Sequence, residues 1–361
     1  MTNFPSFSQT YTEAREKFLA VAQNAKAKVE SIANPNKGPA GETLATDAAW
    51  FGDPAADKAL VVLSGTHGAE GFCGSGFQID WVGQKLADKL PRDIGVLMVH
   101  AINPYGFSWL RRVTEENVDL NRNFVDHSKP YPDNPGYGEL ADWVVPKSLD
   151  EVALAEAEGH LQAYRRKHGD VAFYRAVSGG QYSHDKGLFY GGNGPTWSNQ
   201  TTHALIDRYL KNRKAVSVID FHTGLGPFGY GELIAHYDPG TGGADRTRGW
   251  YGESLTETKR GTSSSQARDG LGHYGYNRAL PGIDVTMVTL EFGTYAREQG
   301  HKVLRADHWL HSYGDPLSGG AQPIKQALKD HFYPDFDDWK EMILFRGHQV
   351  VRQALQGLSK G

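Results

Sequence analysis

The chain has 361 residues, 39% hydrophobic and 22% charged, with a formal net charge of −4 and an isoelectric point near 6.4. That balance gives no basic face for nucleic acid or an anionic membrane, and at a mean hydropathy of −0.52 no apolar run approaches the roughly 18 residues of a membrane span. One cysteine, Cys73, excludes an internal disulfide, and the opening MTNFPSFSQTYTEAREKF lacks the basic start and apolar core of a secretory signal, so a cytoplasmic globular protein is expected.

Residues 11–32 place apolar side chains at helical spacing among alanines and charges, predicting an amphipathic helix that ANPNKGPAGE ends. ALVVLSG (59–65) is a short continuous apolar run, which suits a strand buried on both faces. A helical pattern follows over 74–90, with Cys73 read as a small packed residue at its start, and IGVLMVHAI (94–102) is the next buried strand. Residues 126–200 differ: Gly, Tyr and Trp are frequent, a polar helix is predicted over 148–168, and the stretch is too long for a simple connection. It is expected to be an insertion that partly covers a site. Alternation then resumes with a helix near 202–211, strands at 215–221 and 231–237, a helix near 247–259 and a strand at 284–292. Helices near 297–311, 321–332 and 336–356 close the chain. Such alternation predicts one α/β domain over 1–361, with a mixed, mostly parallel sheet flanked by helices.

Four segments place polar residues just past an apolar strand, where open parallel sheets bind their ligands. They are SGTHGAEG with His67 and Glu70, NPYGFSWLRRVTEENVDLNRNF (103–124), DFHTGLG with His222, and TLEFGTY with Glu291. Two histidines and a glutamate are a set that catalytic zinc takes together with one water, so His67, Glu70 and His222 are the candidate ligands of a single Zn2+. Glu291 is then placed to move a proton, and Arg112 to hydrogen-bond a developing oxyanion. Asn121 and Arg122 suit a substrate carboxylate, and Asp119 suits the second ring proton of a ligand histidine. The histidines His184, His236 and His273 are read as surface or structural.

The order HxxE, NPxG…R…DLNRNF, strand-terminal His and strand-terminal Glu resembles the zinc carboxypeptidase family (peptidase family M14). It looks most like the family's bacterial, DUF2817-like branch, which is related to succinylglutamate desuccinylase and aspartoacylase. The likeness spans about residues 59–295 with the central segment outside it. It implies the same roles for His67, Glu70, His222, Arg112, Asp119, Asn121, Arg122 and Glu291, and hydrolysis of an amide by metal-activated water. It further implies an assisting tyrosine ahead of the glutamate, for which Tyr274 and Tyr276 both qualify. Three activities follow: a carboxypeptidase on short peptides with a free carboxylate, an N-acyl amino acid deacylase, or a peptide-binding module without catalysis. The presence of Glu291 and Arg112 argues against the last, since binding needs no base.

Overall fold

In the computed structural model, which describes residues 4–360, the apolar runs form the centre of one eight-stranded sheet. Its strands are β1 (Lys28–Lys37), β2 (Thr43–Phe51), β3 (Lys58–Leu63), β4 (Ile94–His100), β5 (Ala215–Phe228), β6 (Gly231–Ala235), β7 (Leu255–Glu257) and β8 (Asp284–Gly293). Their spatial order is β1-β2-β4-β3-β5-β8-β6-β7. The four inner strands β4, β3, β5 and β8 are mutually parallel, while β2 and β6 join them antiparallel. This is the expected mixed, mostly parallel α/β sheet.

Each inner strand feeds both faces, as the period of two requires. Leu60, Val62, Ile219 and Phe221 enter one core with Phe18, Phe77, Trp339 and Ile343. Val61, Leu63, Val218 and Met287 enter the other with Leu205, Ile206 and Tyr276. Cys73 is fully buried in the first core, as its reading as a packed residue requires.

Some predicted boundaries differ. Residues 11–32 are not one helix: the helix spans Tyr11–Asn24, the chain turns at Lys26 with φ 55°, and β1 begins at Lys28. A sheet edge tolerates the polar KVESIANPNK, including a proline with no hydrogen to donate. The helix expected at 247–259 is instead Gly242–Tyr251, stopped by Gly252 at φ 70° and followed by β7. The 126–200 segment contributes helices Pro135–Val144 and Glu151–Ser178, the second broken at Gly169. Its Tyr137, Leu161, Phe173 and Phe189 share a core with Leu304, Leu328 and Phe332 of the C-terminal helices Arg297–Ser312 and Ala321–Phe332. Among the described residues, no helix is long and apolar enough to cross a membrane.

The last helix, Asp337–Lys360, is anchored by Trp339, which is 0% exposed and donates its indole N–H to the Gly293 carbonyl at 3.0 Å. Trp339→Ala is expected to destabilise the fold by about 3–5 kcal/mol. Phe345→Ala, at a side chain 75% exposed on the same helix, should stay within about 0.5 kcal/mol; denaturant midpoints of the two variants check both statements.

Candidate metal centre

Register brings the strand-end residues together. On the parallel strands β5 and β8, His222 is the partner of Glu291, so both side chains leave the same face at the carboxyl end of the sheet. One strand away, β3 ends at Leu63, opposite Asp220 of β5. The chain then turns through His67 into a single 3-10 turn, Gly68–Glu70, that opens the Gly71–Gly83 helix. Backbone amides of Gly68 and Ala69 donate to the carbonyls of Arg112 and Arg111, stitching the first motif to the second. A side chain at Gly68 would put its Cβ 1.9 Å from the Gly106 backbone, so this junction needs glycine.

His67, Glu70 and His222 are all buried, and their donor atoms lie within 4.8 Å of one another. His67 Nδ1 is 3.0 Å from Glu70 Oε1, His222 Nδ1 is 3.0 Å from Glu70 Oε2, and the two Nδ1 atoms are 3.1 Å apart. Each ring has its other nitrogen on an aspartate: His67 Nε2 lies 3.1 Å from Asp119 and His222 Nε2 lies 2.8 Å from Asp220. With each Nε2–H donated to its aspartate, each Nδ1 is left as an acceptor, and two nitrogen lone pairs and a carboxylate converge on one point. A cation, whether a metal ion or a proton on a ring nitrogen, satisfies that arrangement. Tetrahedral zinc, with Zn–N near 2.0–2.1 Å, sets its ligand atoms about 3.3 Å apart. The donor set and its spacing therefore fit a divalent metal held by imidazole and carboxylate.

Electrostatics agree with that demand. Burial pushes the Glu70 carboxyl up, but His67 and His222 outweigh it and hold it far below the usual range. Burial presses His222 down, yet Asp220 and Glu70 lift it well above an ordinary imidazole, so in the metal-free protein a proton takes the cation's place. Glu291 is pushed up to about 7 by burial and by the Glu70 charge. Its Oε1 accepts the Leu225 N–H at 3.1 Å.

The two adjacent arginines separate cleanly. Arg111 turns away to Asp307 at 2.9 Å, whereas Arg112 reaches Glu70 and Asp119, each at 3.0 Å, with Nη2 2.8 Å from His67 Nε2. Asn121 stands beside His222, with its amide nitrogen 3.4 Å from Nε2, and its Oδ1 accepts the Gly272 N–H. Arg122 lines the same cleft, but its terminal nitrogens donate to the carbonyls of Asn121 and Ser178, and its buried Nε has no partner among the described residues. The cleft has a volume of about 100 Å³ and is lined also by Ser178, Phe189 and Phe332.

The structure does not bring Tyr274 or Tyr276 to this cleft. Tyr276 packs in the second core near Asp220, where an aromatic ring at that helical position is needed for burial. Tyr274 lies beside Lys259 and His273. His236, read from sequence as structural, does line the cleft, buried between Thr258 and Thr289. Asp220 was missed, although the signal was present: in DFH an acid two residues before a strand-terminal histidine shares its face. Arg268 was missed as well, and no local pattern marks it.

Asp220→Asn is expected to weaken zinc binding about 10–100-fold, because the amide no longer favours the metal-binding tautomer of His222. Affinity should also fall as pH falls: the raised His222 proton must leave before a metal enters, so each pH unit costs up to about tenfold for one released proton. Competition titrations between pH 6 and pH 8, on both proteins, read the slope and the offset.

A family model described as "Protein of unknown function (DUF2817)" matches residues 7–346. No curated protein matches the chain in sequence. Solved structures with some likeness include carboxypeptidase A from Helicoverpa armigera, at 14% identity and TM-score 0.49, over 98% of this chain and 75% of that one. A murein-tripeptide amidase from Escherichia coli O157 shows 16% identity and TM-score 0.36, over 80% of this chain and 91% of that one. An aspartoacylase family protein from Mesorhizobium loti shows 15% identity and TM-score 0.37, over 80% of this chain and 67% of that one. The match over nearly the whole length makes this chain a member of the DUF2817 family.

Proposed function

We propose that this chain is a zinc-dependent amide hydrolase, acting as a carboxypeptidase on short peptides with a free carboxylate. The observation that carries the reading is the pair of facing Nδ1 atoms with Glu70 between them and Glu291 beside His222 in register. Zinc, when bound, supplies a Lewis acid and a water acidic near neutral pH. The chain supplies the rest. Leu225 N–H holds Glu291 Oε1, which leaves Oε2 to take a proton from the attacking water and return it to the leaving nitrogen. Arg112, fixed by Glu70 and Asp119, offers its guanidinium to the developing oxyanion. Arg122, with one buried donor unpartnered, and Asn121 hold the free carboxylate. Phe189, with Arg112 and Arg122 at 5.3 and 5.6 Å from its ring, keeps water from that wall.

Glu291→Gln is expected to lower turnover by about 10²–10⁴-fold while zinc stays near one equivalent. Metal analysis and a panel of dipeptides and N-acyl amino acids, assayed before and after chelation, provide the test. A variant with full activity, or a native protein that takes up no metal after supplementation, overturns the reading. A preference for the N-acyl amino acids would make the chain a deacylase using the same centre.

A further inference from the structure

Arg112, Arg122 and Arg268 all line the cleft. Arg112 is matched by Glu70 and Asp119, and Arg122 is held by two backbone carbonyls. Arg268 has neither: among the described residues its one hydrogen bond is a long one, 3.3 Å from Nη1 to Ser265 Oγ, and its Nε is buried with no partner. Burial, together with the positive charges of Arg122 and Arg112, bears on this guanidinium and weakens its hold on its proton. A guanidinium in that position is an unmet demand for an anion.

The segment that carries it is firmly built. Glu232, with no cationic partner among the described residues, accepts hydrogen bonds from Ser263 Oγ, Ser264 N and Ser264 Oγ and pins one end to β6. Ser263 Oγ in turn takes the Ser265 N–H at 3.0 Å. The other end is fastened to the Arg122 segment, where Phe124 N–H donates to the Gly270 carbonyl and Gly272 N–H to Asn121 Oδ1. The approach is close enough that a Cβ at Gly270 would lie 2.2 Å from the Arg122 carbonyl, and Gly270 has φ 72°. Arg268 and Arg122 thus belong to two backbone segments in contact, and both line the cleft.

We infer that Arg268 is a second anion site in the cleft, and that the substrate residue held at Arg122 carries a second carboxylate, as glutamate or aspartate does. The inference rests on the amide-hydrolase reading for the bond that is cut, but not for the binding of the two anions. Two adjacent guanidiniums select a dicarboxylate over its amide isostere because each supplies donors that a neutral group leaves partly unmet.

The test uses the Glu291→Gln protein loaded with zinc, which removes turnover from the measurement. Calorimetry should show N-acetylglutamate binding at least about tenfold more tightly than N-acetylglutamine. Adding Arg268→Gln should bring that ratio close to one, and Arg268→Lys, which keeps the charge, should recover part of it. Thermal melts confirm that each variant is folded. Equal affinities with Arg268 intact, including no measurable binding of either ligand, overturn the inference, as does a ratio untouched by Arg268→Gln. In the active protein, peptides ending in glutamate or glutamine separate this inference from the reading beneath it. Chelator-sensitive cleavage of both at equal kcat/KM removes the second anion site and leaves the hydrolase. A persistent binding ratio with no cleavage of either peptide removes the hydrolase and leaves the anion site.

Discussion

The site depends on one contact that is unfavourable by itself: the Nδ1 atoms of His67 and His222 meet at 3.1 Å, with both Glu70 oxygens alongside. With His222 neutral, Nε2–H donation to Asp119 and Asp220 turns both lone pairs inward and makes the contact worse. A fold retains such a cluster only where the surroundings impose it. Here the imposition is the parallel sheet. Pairing of β3 with β5 and of β5 with β8 puts Leu63 opposite Asp220 and His222 opposite Glu291, so residues far apart in sequence arrive at one point without any loop having to search for it.

Charge explains why Arg112 is where it is. Glu70, Asp119, Asp220 and Glu291 are all buried, and carboxylates out of water need partners. Arg112 touches two of the four, Glu70 and Asp119, and lies next to His67, which is bound to the same two. Asp119 shows the result, held well below its usual range by Arg112 and Arg122 despite its burial. Glu291 is left outside this network, with one backbone amide for a partner, and its carboxyl rises accordingly. One acid is therefore kept charged and another kept near the point of exchange, by the same set of neighbours.

Much of this was legible because the chemistry sits at the ends of apolar runs. His222 and Glu291 close the apolar runs of strands that announce themselves by hydrophobicity, although β5 continues to Phe228, and His67 follows a third. What escaped is what tertiary packing decides. β1 was absorbed into a helix because its polar residues tolerate an edge and show no alternation. β2, TLATDAAWF, owes its burial to alanines that let neighbouring layers approach, and alanine carries no strand signal. Tyr274 and Tyr276 had the right residue type at about the right distance from Glu291, but the Gly272–Ala279 helix turns Tyr276 into the second core. Arg268 lies on a loop whose position is set by Glu232, a residue thirty-six places earlier whose own role is visible only once β6 is paired with β8.

The 126–200 segment is woven into the site more tightly than a cover laid over it. Phe189, at φ 55°, holds its ring against the guanidiniums of both Arg112 and Arg122. A non-glycine residue in that left-handed region is unfavourable by roughly 1 kcal/mol, so its neighbours must hold it there. They do: its carbonyl accepts from Gln181 N–H, and the next carbonyl, of Tyr190, accepts from Asp119 N–H. Tyr182 closes the loop by donating its hydroxyl to the Arg122 carbonyl at 2.6 Å, while Ser178 receives the Arg122 side chain. The residues that turn Asp119 toward His67 are therefore the same ones that aim the two arginines into the cleft. Displacing this wall would misplace Asp119 and the guanidiniums of Arg112 and Arg122 together, which ties the geometry of the histidine end of the cleft to that of its arginine end.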